Sequence, residues 1–252
     1  MVSITYRIAD ALETLHSHPN NSVSLIHLDD AWARPMRNGQ FGVEYPTHTF
    51  SKSDDHHDDH DTSLTTSALI DAVHECLKPG GVLIADVDDW LLPRLWDYIQ
   101  DTWGESRIRT GQVTELTQDG EPDRSTPGMY GSNGGYSVLF AWKQACPVPA
   151  DHPVGSNLRL NIPCERQREN FGWGTAKPLA PYQSYLSQLT TSGDTVVVPC
   201  AGTAPLAIAA ELEYDDGTPL TVECIDIEDE AKEAYERRRK TDLDRQASLS
   251  QF

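Results

Sequence analysis

The 252-residue sequence has no Cys-x-x-Cys pair, and its five cysteines (Cys76, Cys146, Cys164, Cys200 and Cys224) are odd in number and scattered. That excludes a zinc-ribbon centre and a disulfide framework, and it fits reduced thiols in a cytoplasmic protein. No apolar run approaches the roughly 18 residues that a transmembrane helix needs, so no membrane partner is expected. Met1 to Asp10 carries neither a cationic nor an apolar stretch of the kind a secretory signal requires. No Gly-x-Gly-x-x-Gly run is present, and there is no internal repeat. Lysine is scarce, with six Lys against 14 Arg.

Acidic residues number 39 against 20 cations, a net charge of −19. Excess carboxylate with little Lys resembles the surface of proteins from a high-salt cytoplasm, such as that of a halophilic archaeon or its virus. At roughly 1 M salt the Debye length is about 3 Å, so self-repulsion is largely screened. The same screening weakens the objection that so acidic a chain cannot bind nucleic acid.

Strand and helix patterns alternate. Strands are expected at Ile4 to Ile8, Val23 to Leu28, Val82 to Val87, Tyr136 to Trp142, Thr195 to Val198 and Leu220 to Ile225. Helical spacing marks Ala11 to His16, Ser67 to Leu77, Trp90 to Trp103, Tyr182 to Leu189, Pro205 to Leu212 and Glu228 to about Arg239. Lys78-Pro79-Gly80-Gly81 reads as a helix stop, and the last dozen residues as a frayed end. The alternation implies a three-layer α/β fold with a mostly parallel sheet. Residues 104 to 170 break it. They are rich in Gly, Pro, Asn and Arg and read as an insertion or a lobe for recognising a substrate.

In parallel sheets ligands bind at the carboxyl ends of the strands. Asp10, Asp29-Asp30-Ala31-Trp32, Pro199-Cys200-Ala201-Gly202-Thr203 and Asp226 all follow strands. A Gly-containing turn with a carboxylate closing the next strand suits a nucleoside cofactor. The turn admits backbone to the ligand, and the carboxylate accepts ribose hydroxyls.

The order of segments resembles the DNA amino-methyltransferases, N6-adenine and N4-cytosine, in the permuted order that puts the catalytic motif before the cofactor motif. Ala9 to Leu12 with Asn20 to Ile26 resembles that family's opening. Asp29 to Trp32 stands where the family has Asp-Pro-Pro-Tyr. His74 to Gly81 is similar to its Lys-Pro-Gly-Gly helix end, and Thr175 to Leu179 to its Thr-Gln-Lys-Pro segment. Ser192 to Thr203 resembles its glycine motif, and Asp226 to Arg237 the segment after it. The likeness covers about residues 1 to 32, 66 to 100 and 172 to 240. The departures are Asp30 and Ala31 for two prolines, Cys200 for a Phe, and Ala204 for a Gly.

The resemblance implies a Rossmann-like methyltransferase using S-adenosyl-L-methionine on double-stranded DNA, in a restriction-modification setting, with a homodimer and a restriction partner left open. It implies a catalytic half over residues 1–103, a target-recognition insertion over 104–170 and a cofactor-binding half over 171–252. Catalysis falls to Asp29, the Asp30 carbonyl and Trp32. An exocyclic amine is a poor nucleophile because its lone pair is delocalised into the ring. Two acceptors on its N–H groups localise that pair, and an aromatic stacks on the flipped base. Adenine N6 is favoured because the motif opens with Asp and not Ser. The cofactor falls to Asp10, Lys177, Pro178, Cys200, Gly202, Thr203 and Asp226.

Two further features stand out. Asp54 to Asp61, five Asp and three His in eight residues, reads as a solvated loop and not a metal centre, since no rigid frame converges its ligands. Arg107, Arg109, Arg124, Arg159, Arg166 and Arg168, with Tyr130, Tyr136, Phe171 and Trp173, form a group suited to phosphates and bases, or to plain charge balance. The competing readings are a catalytically inactive relative kept for DNA binding or subunit contact, and a methyltransferase of RNA or a small amine.

Overall fold

The computed structural model describes residues 2–29, 66–89, 91–104, 106–123, 134–144, 159–174, 176–214 and 219–249. Asp30, Trp32, the Asp54 to Asp61 run, Arg124, Tyr130 and Thr175 lie outside them.

Val23 to Leu28 is apolar but for Ser24 and His27, and it forms β2 (Val23–Leu28) with all six residues buried. Only a strand covered on both faces reads that way. Around it lie β1 (Val2–Ile8), α1 (Ala11–Ser17), α2 (Thr66–Cys76), β3 (Leu77–Val87), α3 (Leu91–Thr102), β4 (Ser106–Leu116), β5 (Gly135–Lys143) and β6 (Asn161–Glu165). The chain closes with α4 (Ala180–Leu189), β7 (Thr195–Pro199), α5 (Pro205–Glu213), β8 (Leu220–Asp226) and α6 (Asp229–Leu249). The eight strands form one sheet in the order β1-β8-β7-β2-β3-β5-β4-β6. β5 runs antiparallel to β3 and β4, and all other neighbours pair parallel.

Successive residues of β2 point to opposite faces and seed two cores. Ile26 packs with Leu15, Leu69, Ile70, Leu95 and Ile99 of α1, α2 and α3. Leu25 packs with Tyr182, Tyr185, Leu206 and Ile208 of α4 and α5. The result is the three-layer α/β arrangement that the alternation predicts.

Three sequence expectations change. Residues 104 to 170 supply more than the one expected strand: β4 and β6 extend the same sheet beyond β5. β4 pairs with β5 over nine residues from Ser106 to Thr114, so long-range hydrogen bonding and not local periodicity makes it a strand. Helix α2 does stop at Cys76, but Lys78-Pro79-Gly80-Gly81 belongs to β3. The register jumps from Val23 opposite Leu77 to Leu25 opposite Val82, so these residues bulge out of the ladder. Finally, α6 runs ten residues past the expected end at Arg239, to Leu249. Arg238 pairs with Asp242 one turn on at 3.2 Å, buried, and Asp242 meets Arg245 at 3.7 Å.

Asp194, from the Ser-Gly-Asp of the glycine motif, is a structural tie. It accepts from Ser24 Oγ at 2.5 Å and Lys78 Nζ at 2.7 Å, joining the starts of β7, β2 and β3. Burial opposes its ionisation, but these bonds and the Thr191 N–H outweigh it and hold the carboxyl below its usual range.

Candidate functional site

One edge of the sheet collects the carboxyl ends of β1, β8, β7, β2 and β3 together with the start of the reversed strand β5. Those of the expected residues that are described gather there in two groups.

The first group surrounds the turn after β7. Cys200, Gly202 and Ala204 all take positive φ, at 53°, 51° and 43°. For Gly202 this costs nothing, but for Cys200 and Ala204 the left-handed region costs about 1–2 kcal/mol each. Such strain persists only where surroundings over-determine it. Here Asp226 does so. Its Oδ2 accepts from the Gly202 N–H at 2.8 Å, and its Oδ1 from the Glu228 N–H at 3.2 Å. Tyr6 donates its hydroxyl to the Gly202 carbonyl at 2.7 Å and stacks on Tyr235. Burial raises the Asp226 carboxyl above its usual range despite its backbone donors. Asp10 caps α1, accepting from the Glu13 N–H at 2.8 Å. The neighbouring Ala9 N–H bonds the Asp226 carbonyl at 2.9 Å.

The second group is a buried charge cluster. Asp29 follows β2 directly, and its Oδ1 lies 2.9 Å from Lys177 Nζ. The same ammonium sits 3.1 Å from Asp86 Oδ2 on β3. That oxygen also meets His27 Nε2 at 3.0 Å and accepts from the Tyr182 hydroxyl at 2.5 Å. Tyr136, opening β5, lies 3.3 Å from the Tyr182 hydroxyl and carries Lys177 over its ring at 4.3 Å. Burial works against ionised Asp86, but Lys177 and then His27 overcome it, and the carboxyl stays below its usual range. Burial, then the Asp86 charge, push Tyr182 and Tyr136 far up, so both keep their protons. The Asp29 side chain keeps 26% of its surface open, against 8% for Lys177 and none for Asp86. Asp29 is therefore the member that an outside molecule can reach.

Arg238 joins the groups. It is fully buried, and its Nη1 donates to Thr203 Oγ1 at 3.0 Å while Nη2 donates to the Lys177 carbonyl at 2.5 Å. Pro178, next along the chain from Lys177, is also buried.

Of the expected site residues, Asp29 and Lys177 meet directly. Gly202, Thr203 and Asp226 form the turn with Cys200. Asp86, His27, Tyr182 and Arg238 belong to no expected site, and Tyr136 was expected only among the aromatics of residues 104–170. One signal was available: Asp86 is the only charge in the apolar run Val82 to Val87, and His27 the only imidazole in β2. A titratable group inside a strand buried on both faces has to be paired.

The expected cationic surface is partly consumed. Arg166 pairs with Asp123 at 2.8 Å and approaches Glu115 at 3.9 Å. Phe171 and Trp173 pack with Ala176 and Ala234, and the Trp173 indole covers Gly202. The described cysteines are free. Burial pushes the Cys76 thiol up to about 11 and Cys164 to about 12, so neither is a ready nucleophile. Among the described residues no group of His, Cys, Asp and Glu is arranged to hold a metal, and no helix is long and apolar enough to cross a membrane.

No protein-family model matches the sequence, and no curated protein matches it. Solved structures do match the fold. The M1.HpyAVI–SAM complex is 16% identical over 94% of this chain and 100% of that chain, with a TM-score of 0.57. PvuII DNA methyltransferase (cytosine-N4-specific) is 15% identical over 94% of this chain and 87% of its own, at 0.62. The putative DNA modification methylase TTHA0409 of Thermus thermophilus, complexed with S-adenosyl-L-methionine, is 16% identical over 95% and 93%, at 0.57. At this identity the likeness establishes a shared fold over nearly the whole chain.

Proposed function

We propose that the chain is a DNA methyltransferase that uses S-adenosyl-L-methionine to methylate the exocyclic amine of a base flipped out of the duplex. The observation that carries this reading is Asp29. It is a partly open carboxylate at a strand end, held by Lys177, on the same sheet edge as the Gly202–Asp226 turn. Two solved structures of the same fold that contain S-adenosylmethionine, and a third that is a cytosine-N4-specific DNA methyltransferase, support it.

The donor set fits this cofactor. Asp226 offers carboxylate oxygens for ribose hydroxyls, and Asp10 stands near it for the adenine end. The turn of Cys200, Gly202 and Thr203, with Lys177 and Pro178, would flank the methionine end. The carboxyl groups of Asp29 and Asp226 on this edge suit a ligand bearing a sulfonium. When bound, the cofactor supplies an electrophilic methyl group. Asp29 accepts one N–H of the target amine and the Asp30 carbonyl the other, so the nitrogen lone pair is localised and aimed. Trp32 stacks on the flipped base. We favour adenine N6 as the target, from the Asp that opens the motif.

We also read the net charge of −19 as an adaptation to molar salt, and the protein as cytoplasmic, in a restriction-modification setting. DNA co-expressed in a high-salt host, analysed for modified bases, tests the reading. N6-methyladenine supports the preference, N4-methylcytosine corrects it, and no modified base sinks the enzyme.

Cofactor binding should depend on pH through Asp226. Its carboxyl protonates at higher pH than an ordinary one, and the protonated form loses its charge-assisted bonds to hydroxyls. Calorimetric titration in molar KCl should show affinity falling as the pH is lowered from 7 into the acidic range. Asp226→Asn should bind weakly and without that slope. A flat wild-type profile would take Asp226 out of the site.

Residues 104–170 are proposed as the target-recognition region. Because β4, β5 and β6 complete the sheet, point substitution suits the test better than segment exchange. Arg159→Ala with Arg168→Ala should weaken DNA binding at least about tenfold and lower its salt dependence, with cofactor affinity unchanged. Unchanged DNA binding would return these cations to surface charge balance.

A further inference from the structure

Asp86 belongs to none of the motifs, and no step above uses it. Its Oδ2 nonetheless collects three contacts, from His27 on β2, Tyr182 on α4 and Lys177. Its Oδ1 is buried and has no hydrogen-bond partner among the described residues. Burying a carboxylate costs several kcal/mol unless a counter-charge is held close. The counter-charge here is shared: Lys177 Nζ stands 3.1 Å from Asp86 and 2.9 Å from Asp29. Lys177 is also fixed from behind, where its carbonyl accepts from the fully buried Arg238.

An aspartate just past a strand end has several side-chain rotamers open to it in water. An ammonium clamped at a fixed point selects the one that faces it. We propose that Asp86 is a positioning residue: it holds the Lys177 ammonium and, through it, sets the orientation of the Asp29 carboxylate before the substrate amine arrives. This rests on the reading of Asp29 as the amine's hydrogen-bond acceptor. Lys177 then has two jobs, alongside the cofactor and against Asp29, and Asp86 secures the second. His27 and Tyr182 keep Asp86 in place from two directions.

The test uses the full chain in molar KCl. Asp86→Asn keeps the shape and removes the charge. It should lower kcat by about a hundredfold, the scale of a misplacement of about 1 Å at a reacting group. KM for DNA and cofactor affinity should stay within about twofold, which distinguishes orientation from general damage. In a Lys177→Gln background, adding Asp86→Asn should change kcat by less than about twofold, because the route through Lys177 is already cut. An unchanged kcat in the single variant, or losses that multiply in the double, overturns the proposal.

A second measurement needs no turnover and no folded variant at position 86. In wild-type protein labelled with 15N at lysine, the Lys177 ammonium should exchange slowly and stand apart from the exposed lysines. Its signal is assigned by its loss in Lys177→Gln. An ammonium that exchanges as fast as the exposed ones overturns the proposal. If the signal is slow but no base is methylated, the clamp on Asp29 stands and the methyltransferase reading falls, so the two failures are separable.

Discussion

Asp29→Ala should lower methyl transfer about a hundredfold while sparing the cofactor. One charge-assisted hydrogen bond made in a dry site, strengthening as the amine nitrogen becomes tetrahedral, is worth on the order of 3 kcal/mol in the transition state. The loss belongs in the single-turnover rate at saturating DNA and cofactor. Affinity for S-adenosylmethionine should hold, because the ribose and methionine ends fall to the Gly202–Asp226 turn, whose bonds Asp29 does not make. Stability should hold too, since Lys177 keeps Asp86 as its partner. Rapid-quench measurement of methylated base in molar salt decides it. Wild-type rates in the variant would mean that another group accepts the hydrogen bond from the amine.

Lys177→Met should have the largest effect on stability. Among the described residues it leaves the fully buried Asp86 carboxylate with only His27 and Tyr182 as hydrogen-bond partners. Removing one partner of a buried ion pair costs about 3–5 kcal/mol at neutral pH. Molar salt should rescue little of it, since buried pairs are poorly screened. The pH dependence has a definite sign. Asp86 is held below its usual range in the folded protein, so the stability it gains from Lys177 is present above the unfolded value of about 3.9 and is lost as pH falls. The gap between wild type and Lys177→Met should therefore narrow below about pH 4. Lys177→Met with Asp86→Leu should lose less than Lys177→Met alone, because no charge is then stranded. Urea denaturation at two pH values measures all of these. A variant within about 1 kcal/mol of wild type at pH 7 would mean that water or another cation reaches Asp86.

Much of the fold was legible because its signals are local. β2 is apolar at four of its six positions, the helices repeat their apolar residues at helical spacing, and Pro205 opens α5 where a helix accepts Pro. The rule that ligands gather at strand ends then singled out Asp29, Gly202 and Asp226 from the sequence alone. The strained turn was legible only in part. Cys200 and Ala204 look like poor substitutes for the residues expected there, yet both hold the left-handed backbone, with Asp226 bonding the glycine between them.

Tertiary structure decided the rest. β4 and β6 have weak local patterns and exist as strands because β5 offers β4 a hydrogen-bonding edge and β4 offers the next one to β6. Arg238 looks like one of three consecutive arginines on a polar helix, and only packing makes it the link between Thr203 and Lys177. Asp86 finds His27, Lys177 and Tyr182 at separations of 59, 91 and 96 residues. Propensity and periodicity act over one or two turns of chain. Which charge can be buried depends on which distant segments the strand order brings beside it, so the partners of Asp86, and with them the orientation of Asp29, were set only when the sheet closed around β3.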